Sequence, residues 1–129
     1  MAKEMIFVAE DEQDIQKVIK VTLKYKGGFE VKFAGNGLEL LDLVKEEKPA
    51  LIICDVMMPR MDGYEACRTL KAQPDTASIP FVFLTAKAQE KEIEEGLALG
   101  AIDYIKKPFE PDEFVAKVKG LLGNASRKE

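Results

Sequence analysis

Residues 51–55 read Leu-Ile-Ile-Cys-Asp, an apolar run that stops on a single acid, and this stretch constrains the fold more than any other. A strand with one wet face alternates apolar and polar residues. One with no alternation is covered on both faces, the pattern of a parallel strand between two layers of helix. Beyond Asp55, Pro59 and Gly63 break the chain into a loop before the next helical periodicity. A carboxylate at the C-terminal end of such a strand stands where parallel α/β sheets place their ligand sites.

The rest of the chain repeats the alternation of strand and helix. Met5 to Ala9 is a short apolar strand running into the acids Glu10, Asp11 and Glu12. A helix is expected over about 14–25, with Asp14 as N-cap, Ile15, Val18, Ile19 and Leu23 on one face, and Gly27-Gly28 as the stop. Residues 29–34 alternate, which predicts a strand nearer the sheet edge. Asn36-Gly37 is a turn, and a second helix spans about 38–47. The third strand is followed by a helix over about 63–73, with Ala66, Cys67 and Leu70 inward. A fourth strand over 79–85 ends in the hydroxyl of Thr85. A fourth helix over about 89–99 carries Glu90, Glu92, Glu94 and Glu95 on a face read as solvated. A fifth strand over 102–106 leads into Lys107-Pro108-Phe109. The last helix covers about 112–122, with Phe114, Val115, Val118, Leu121 and Leu122 inward. Five strands alternating with five helices imply a parallel sheet with helices on both faces and right-handed crossovers. One domain over 1–123 and a short polar tail over 124–129 are expected.

Composition narrows the function classes. The chain has 129 residues, 47% hydrophobic and 33% charged, with a net charge of -4 and no basic block. Nothing there favours nucleic-acid binding. No apolar run approaches the roughly 20 residues of a membrane span, and the N-terminus lacks a signal-peptide core, so a cytoplasmic location is expected. Cys54 and Cys67 form no CxxC pair and read as buried apolar residues. The chain contains no histidine, which removes Ser-His-Asp hydrolysis, most zinc chemistry and a phosphohistidine-carrier role.

Polar residues close four of the strands: Glu10 and Asp11, Asp55, Thr85, and Lys107. Parallel strands bring these ends to one edge. Clustered carboxylates repel one another and call for a cation, and an all-oxygen set suits Mg²⁺, which keeps some water and a phosphate oxygen in its shell. A hydroxyl and an ammonium then contact the remaining phosphoryl oxygens. Phosphoryl transfer asks for little beyond positioning and charge neutralisation, and a carboxylate nucleophile gives an acyl phosphate. Asp55 is the expected nucleophile.

These residues resemble the receiver domains of response regulators in two-component signalling, over about residues 5–122. The likeness rests on Glu10-Asp11, on the run from Asp55 through Pro59 to Asp62-Gly63, on Leu84-Thr85-Ala86, and on Gly100 through Lys107-Pro108-Phe109. It is nearest in kind to the single-domain, chemotaxis-type regulators. The resemblance implies a flavodoxin-like, doubly wound sheet of order 2-1-3-4-5. It implies Mg²⁺ held by Glu10, Asp11, Asp55 and the backbone carbonyl of Met57. Phosphoryl oxygens would be bound by Thr85 and Lys107, beside a cis Lys107–Pro108 bond. A sensor histidine kinase or a histidine phosphotransfer protein would donate the phosphoryl group to Asp55. Thr85 would then move toward it and Tyr104 would swing inward, repacking the fourth helix, fifth strand and fifth helix for a downstream protein target. Met57 and Lys87 occupy the positions that flank the phosphoryl group. One departure is Glu10, where the family more often has Asp. The side chain is one methylene longer and reaches an ion directly or through water. A monomer or a weak phosphorylation-linked dimer is expected, catalysing only its own phosphorylation and dephosphorylation.

Other readings stand beside this one. A small phosphatase with an aspartyl-phosphate intermediate would place a second acid two residues after the nucleophile, where this chain has Met57. A flavin or nucleotide carrier would need a glycine-rich or hydroxyl-rich first loop in place of Glu10-Asp11-Glu12. A phosphorylation-independent binding module would be expected to lack one of the acids, the threonine or the lysine. The chain is expected to be a single-domain regulator, with the receiver of a longer protein as the alternative.

Overall fold

The computed structural model describes residues 4–86 and 90–126. Five parallel strands form one sheet in the order β2-β1-β3-β4-β5. They are β1 (Met5–Ala9), β2 (Glu30–Ala34), β3 (Leu51–Asp55), β4 (Phe81–Thr85) and β5 (Asp103–Lys106). The helices are α1 (Gln13–Lys20), α2 (Gly37–Glu46), α3 (Gly63–Lys71), α4 (Glu90–Ala98) and α5 (Pro111–Ser126). β3 lies at the centre with every residue buried, as its unbroken apolar run requires, and the alternating β2 is an edge.

Side chains of a strand point alternately to the two faces, so neighbours in sequence enter different cores. Phe7, Ile52, Cys54, Phe81 and Phe83 face one side, with Leu40 and Val44 of α2 and Ala66, Cys67 and Leu70 of α3. Ile6, Val8, Ile53, Val82 and Leu84 face the other, against Ile19 and Leu23, and against Phe114, Val118 and Leu122 of α5. Burying each such large side chain is worth about 1.5–3 kcal/mol. Both cysteines are free thiols buried in the first of these cores.

The helix starts are fixed by short polar side chains. Asn36 Oδ1 accepts from the Glu39 amide at 2.9 Å, and the Glu39 carboxylate returns to the Gly35 amide at 2.9 Å, a reciprocal cap. Asp62 Oδ1 accepts from the Glu65 amide at 2.9 Å and opens α3. Asp14 is not a cap. Glu12 holds the N-cap position of α1 with no side-chain cap bond, and its amide donates to Glu10 Oε2 at 3.0 Å.

The first helix also departs from a regular α-helix. Val21–Lys26 is a π-helical stretch, in which the Gly27 amide reaches back five residues to the Thr22 carbonyl at 3.1 Å. Thr22 Oγ1 donates to the Val18 carbonyl at 2.7 Å. Gly28, with φ of 75°, ends the segment. α5 runs past the expected end near Leu122 to Ser126. Among the described residues no helix is long and apolar enough to cross a membrane.

Candidate functional site

Parallel register brings the polar strand ends together. Ala9 pairs with Cys54 across β1 and β3, Asp55 with Leu84 across β3 and β4, and Thr85 with Lys106 across β4 and β5. The residues just beyond these pairs therefore share one edge. Glu10, Asp11 and Asp55 each offer a carboxylate oxygen, all within 4.8 Å of one another. Glu10 is fully buried, Asp55 nearly so, and Asp11 is exposed.

Lys107 ties this cluster together. Its Nζ donates to Asp55 Oδ2 and to Glu10 Oε1, each at 2.7 Å. The other oxygens of the two buried acids accept backbone amides. Asp55 Oδ1 accepts from Met57 at 3.2 Å and Glu10 Oε2 from Glu12. Lys106 is exposed, so Lys107 is the lysine the strand turns into the site. The Lys107 amide donates to the Thr85 carbonyl at 2.9 Å, and the Lys107–Pro108 bond is cis.

The charge balance shows in the acid–base properties. Burial pushes the Glu10 carboxyl from its ordinary 4.5 to about 7, against the pull of the Lys107 and Glu12 hydrogen bonds and with the Asp55 charge adding to the rise. Burial alone would lower the Lys107 ammonium, but its hydrogen bonds to Asp55 and Glu10 outweigh that and hold it above the usual lysine range. Among the described residues, one ammonium, paired with Glu10 and Asp55, stands at a cluster of three carboxylates, which leaves the cluster short of positive charge. The donors are all oxygen, and the cluster fits a site for a hard divalent cation such as Mg²⁺.

The loop after β3 is held against its own strand. Gly63 sits so close that a Cβ there would lie 2.3 Å from the Asp55 carbonyl oxygen. The Gly63 amide donates to the Val56 carbonyl at 2.9 Å. Arg60, with φ of 68°, turns the loop through the left-handed region that β-carbon sterics disfavour. Met57 is 69% exposed at the lip of the site. A cleft of about 390 Å³ opens here, lined by Asp55 and Lys107 at its floor and by Asp11, Met57 and Thr85.

Two features of the cleft were not read from the sequence. Tyr64 lines it, and so do Glu92 and Glu95 of α4. The α4 acids are thus not a purely solvated face: Glu92 is half-buried, and both carboxylates, after burial itself, raise the Tyr64 phenol above its ordinary value. Thr85 also lines a second, narrow and partly open space of about 10 Å³, walled by Tyr64, Phe83, Ile93, Leu97 and Tyr104, among others. Tyr104 is half-buried, and Lys117 Nζ of α5 lies 5.3 Å from its ring centre. Lys87 lies outside the described residues.

Comparison with known proteins agrees with this geometry. The family model described as "Response regulator receiver domain" matches residues 6–119. "Probable transcriptional regulator ycf27" of Porphyra purpurea is 38% identical over 125 residues, covering 97% of this chain and 50% of that protein. "Response regulator MprA" of Mycobacterium sp. (strain KMS) is 37% identical over 124 residues, covering 96% and 53%. The chain thus spans about half the length of these curated relatives. Among solved structures, the receiver domain of sensor histidine kinase PA1611 from Pseudomonas aeruginosa PAO1, described with a magnesium ion coordinated in its active-site cleft, superposes with a TM-score of 0.86 at 30% identity, covering 95% of this chain and 99% of that one. Chemotaxis protein CheY4 of Vibrio cholerae superposes with a TM-score of 0.87 at 28% identity, covering 93% and 99%.

Proposed function

The chain belongs to the response regulator receiver family, whose members are phosphoacceptors in two-component signalling, and we propose that its own phosphoacceptor is Asp55. The observation that carries this reading is the Lys107 bridge, a cation at 2.7 Å from both Asp55 and Glu10 at the floor of an open cleft. It leaves Asp55 oriented and reachable from the cleft.

The reaction follows from that placement. An Asp55 carboxylate oxygen attacks the phosphorus of a phosphohistidine on a sensor kinase or phosphotransfer protein. The P–N bond breaks, its electron pair stays on the imidazole nitrogen, and that nitrogen takes up a proton. An acyl phosphate forms on Asp55, which water later hydrolyses. The Lys107 ammonium follows the charge from the carboxylate to a phosphoryl oxygen, and the Thr85 hydroxyl donates to another. Bound at Glu10, Asp11, Asp55 and the Met57 carbonyl, Mg²⁺ would offset the negative charge that gathers as the phosphoryl group arrives.

The output is a change of packing. Thr85 borders both the cleft and the narrow space that Tyr104 also walls, so a move of Thr85 toward the phosphoryl group would enlarge the space Tyr104 would enter. Turning Tyr104 inward reshapes the α4–β5–α5 surface that a downstream protein would read. Met57, exposed at the lip of the cleft, would flank the phosphoryl group, and the family resemblance alone assigns Lys87 the same role.

Intact mass after incubation with Mg²⁺ and acetyl phosphate tests the reading. The expected result is a single phosphoryl adduct that needs Mg²⁺ and is absent from Asp55→Asn. An adduct of equal yield in Asp55→Asn, or none under conditions that label another receiver, would count against it.

A further inference from the structure

Tyr64 is the second residue of α3, yet its side chain belongs to α4. The ring packs edge-on to Phe83 of β4, with centroids 5.2 Å apart and planes at 67°. Its hydroxyl donates to the Glu92 carbonyl of α4 at 3.4 Å. One turn further along α4, Gly96 lies so close to the sheet that a Cβ there would be 2.8 Å from two carbons of the Phe83 ring. α4 is therefore seated on β4 at two points, by the Tyr64 hydroxyl and by the missing side chain at position 96.

The same tyrosine borders the cleft above Asp55 and the narrow space beside Thr85. That space, about 10 Å³, has room for about one water, far less than a phenol ring. The departure of Thr85 frees part of the room the Tyr104 ring would need, and the rest must come from the wall formed by Ile93 and Leu97 of α4 moving outward. The hydroxyl bond and the Gly96 seat both oppose the withdrawal. At 3.4 Å the bond is long and therefore weak, suited to setting an equilibrium rather than locking it.

We infer that Tyr64 is a positioning residue that holds α4 against β4 and so sets how far the domain leans toward its phosphorylated packing before any phosphoryl group is present. The inference rests on the proposed inward turn of Tyr104. Without the hydroxyl, the competent packing is more populated, and apparent affinity for anything that selects it rises by the same factor. One weak hydrogen bond corresponds to a change of about two- to fivefold.

The test is the affinity of Mg²⁺-loaded protein for beryllofluoride, a phosphoryl mimic, in wild type, Tyr64→Phe and Gly96→Ala. Amide exchange of residues 90–98 and urea unfolding are measured alongside. Tyr64→Phe is expected to bind beryllofluoride about two- to fivefold more tightly and to exchange faster over 90–98 without it. Gly96→Ala, which pushes α4 off Phe83 and does not line the cleft, is expected to shift the same way. Unchanged or weaker binding in Tyr64→Phe, even with lower stability, overturns the inference, leaving a packing role only. Tighter binding in Tyr64→Phe alone also overturns it, because a direct contact with the mimic would then explain the gain. A wild type that binds no beryllofluoride overturns the phosphoacceptor reading and the inference with it.

Discussion

Lys107 Nζ lies 2.7 Å from Asp55 Oδ2, although the two residues are 52 positions apart in the chain. The same ammonium serves fully buried Glu10, so its loss strips two acids of their charge partner at once. Lys107→Met is expected to slow Mg²⁺-dependent labelling by acetyl phosphate at least about tenfold. Without metal it is expected to lower folding stability by about 2 kcal/mol, the scale of a hydrogen bond to a charged group. Labelling rates and urea unfolding check the two effects. Wild-type labelling in the variant would remove Lys107 from the proposed chemistry.

Glu10 predicts a pH dependence. Its carboxyl sits at about 7 when folded, against an ordinary 4.5, so between those values the folded chain holds a proton that the unfolded chain has released. Stability from this group is therefore fully present below about 4.5 and is lost as pH rises through about 7. With metal chelated, the wild type is expected to lose stability relative to Glu10→Gln between pH 5 and 8. Parallel melting curves for the two proteins across that range would contradict the assignment.

Gly63 is required by space rather than by backbone angle. A Cβ at this position would overlap the Asp55 carbonyl oxygen at 2.3 Å and approach the Val56 Cα at 3.0 Å, both backbone atoms that cannot turn aside. Gly63→Ala is expected to cost about 2–4 kcal/mol and to shift the Asp55 main chain. Denaturation should show the loss, and labelling of Asp55 should fall with it. Near-neutral behaviour would mean that the loop relaxes at small cost.

Lys117 of α5 sits over the half-buried Tyr104 ring. Its ammonium is 3.5 Å from Asp103 Oδ1 and 5.3 Å from the Tyr104 ring centre, while Asp103 Oδ1 also accepts the Tyr104 amide at 2.8 Å. The group is partly exposed, so Lys117→Met is expected to cost less than about 1 kcal/mol. Its clearer effect should be on the Tyr104 ring, whose NMR signals should broaden or shift. An unchanged ring spectrum would show that Lys117 has no hold on it.

The residues that were legible in the sequence are those whose local pattern has one reading. The run Leu51–Asp55, bounded by turn residues, has the pattern of a strand covered on both faces, and the structure buries all five residues at the centre of the sheet. Sheet order came from the family resemblance, since periodicity carries no order. Tyr64 was missed for a geometric reason. Gly63, Ala66, Cys67 and Leu70 make the buried stripe of α3, and Tyr64 falls to its flank, where only the position of α4 decides what it touches. Glu92 and Glu95 were hidden in the same way, since an acidic helix face looks solvated until a cleft is placed beside it. The π-helical stretch over Val21–Lys26 left no mark because its residues suit an ordinary helix; the departure lies in backbone bonds such as Gly27 to Thr22.

The Lys107–Glu10 bond joins residues 97 positions apart. Glu10 and Asp55 are synthesised well before Lys107, and the cation that pairs them reaches the site only when β5 joins the sheet. A partly synthesised chain thus presents the phosphoacceptor without the group that holds it in register. On the proposed reading, full competence to receive a phosphoryl group would therefore wait on the fifth strand, the step that completes the sheet.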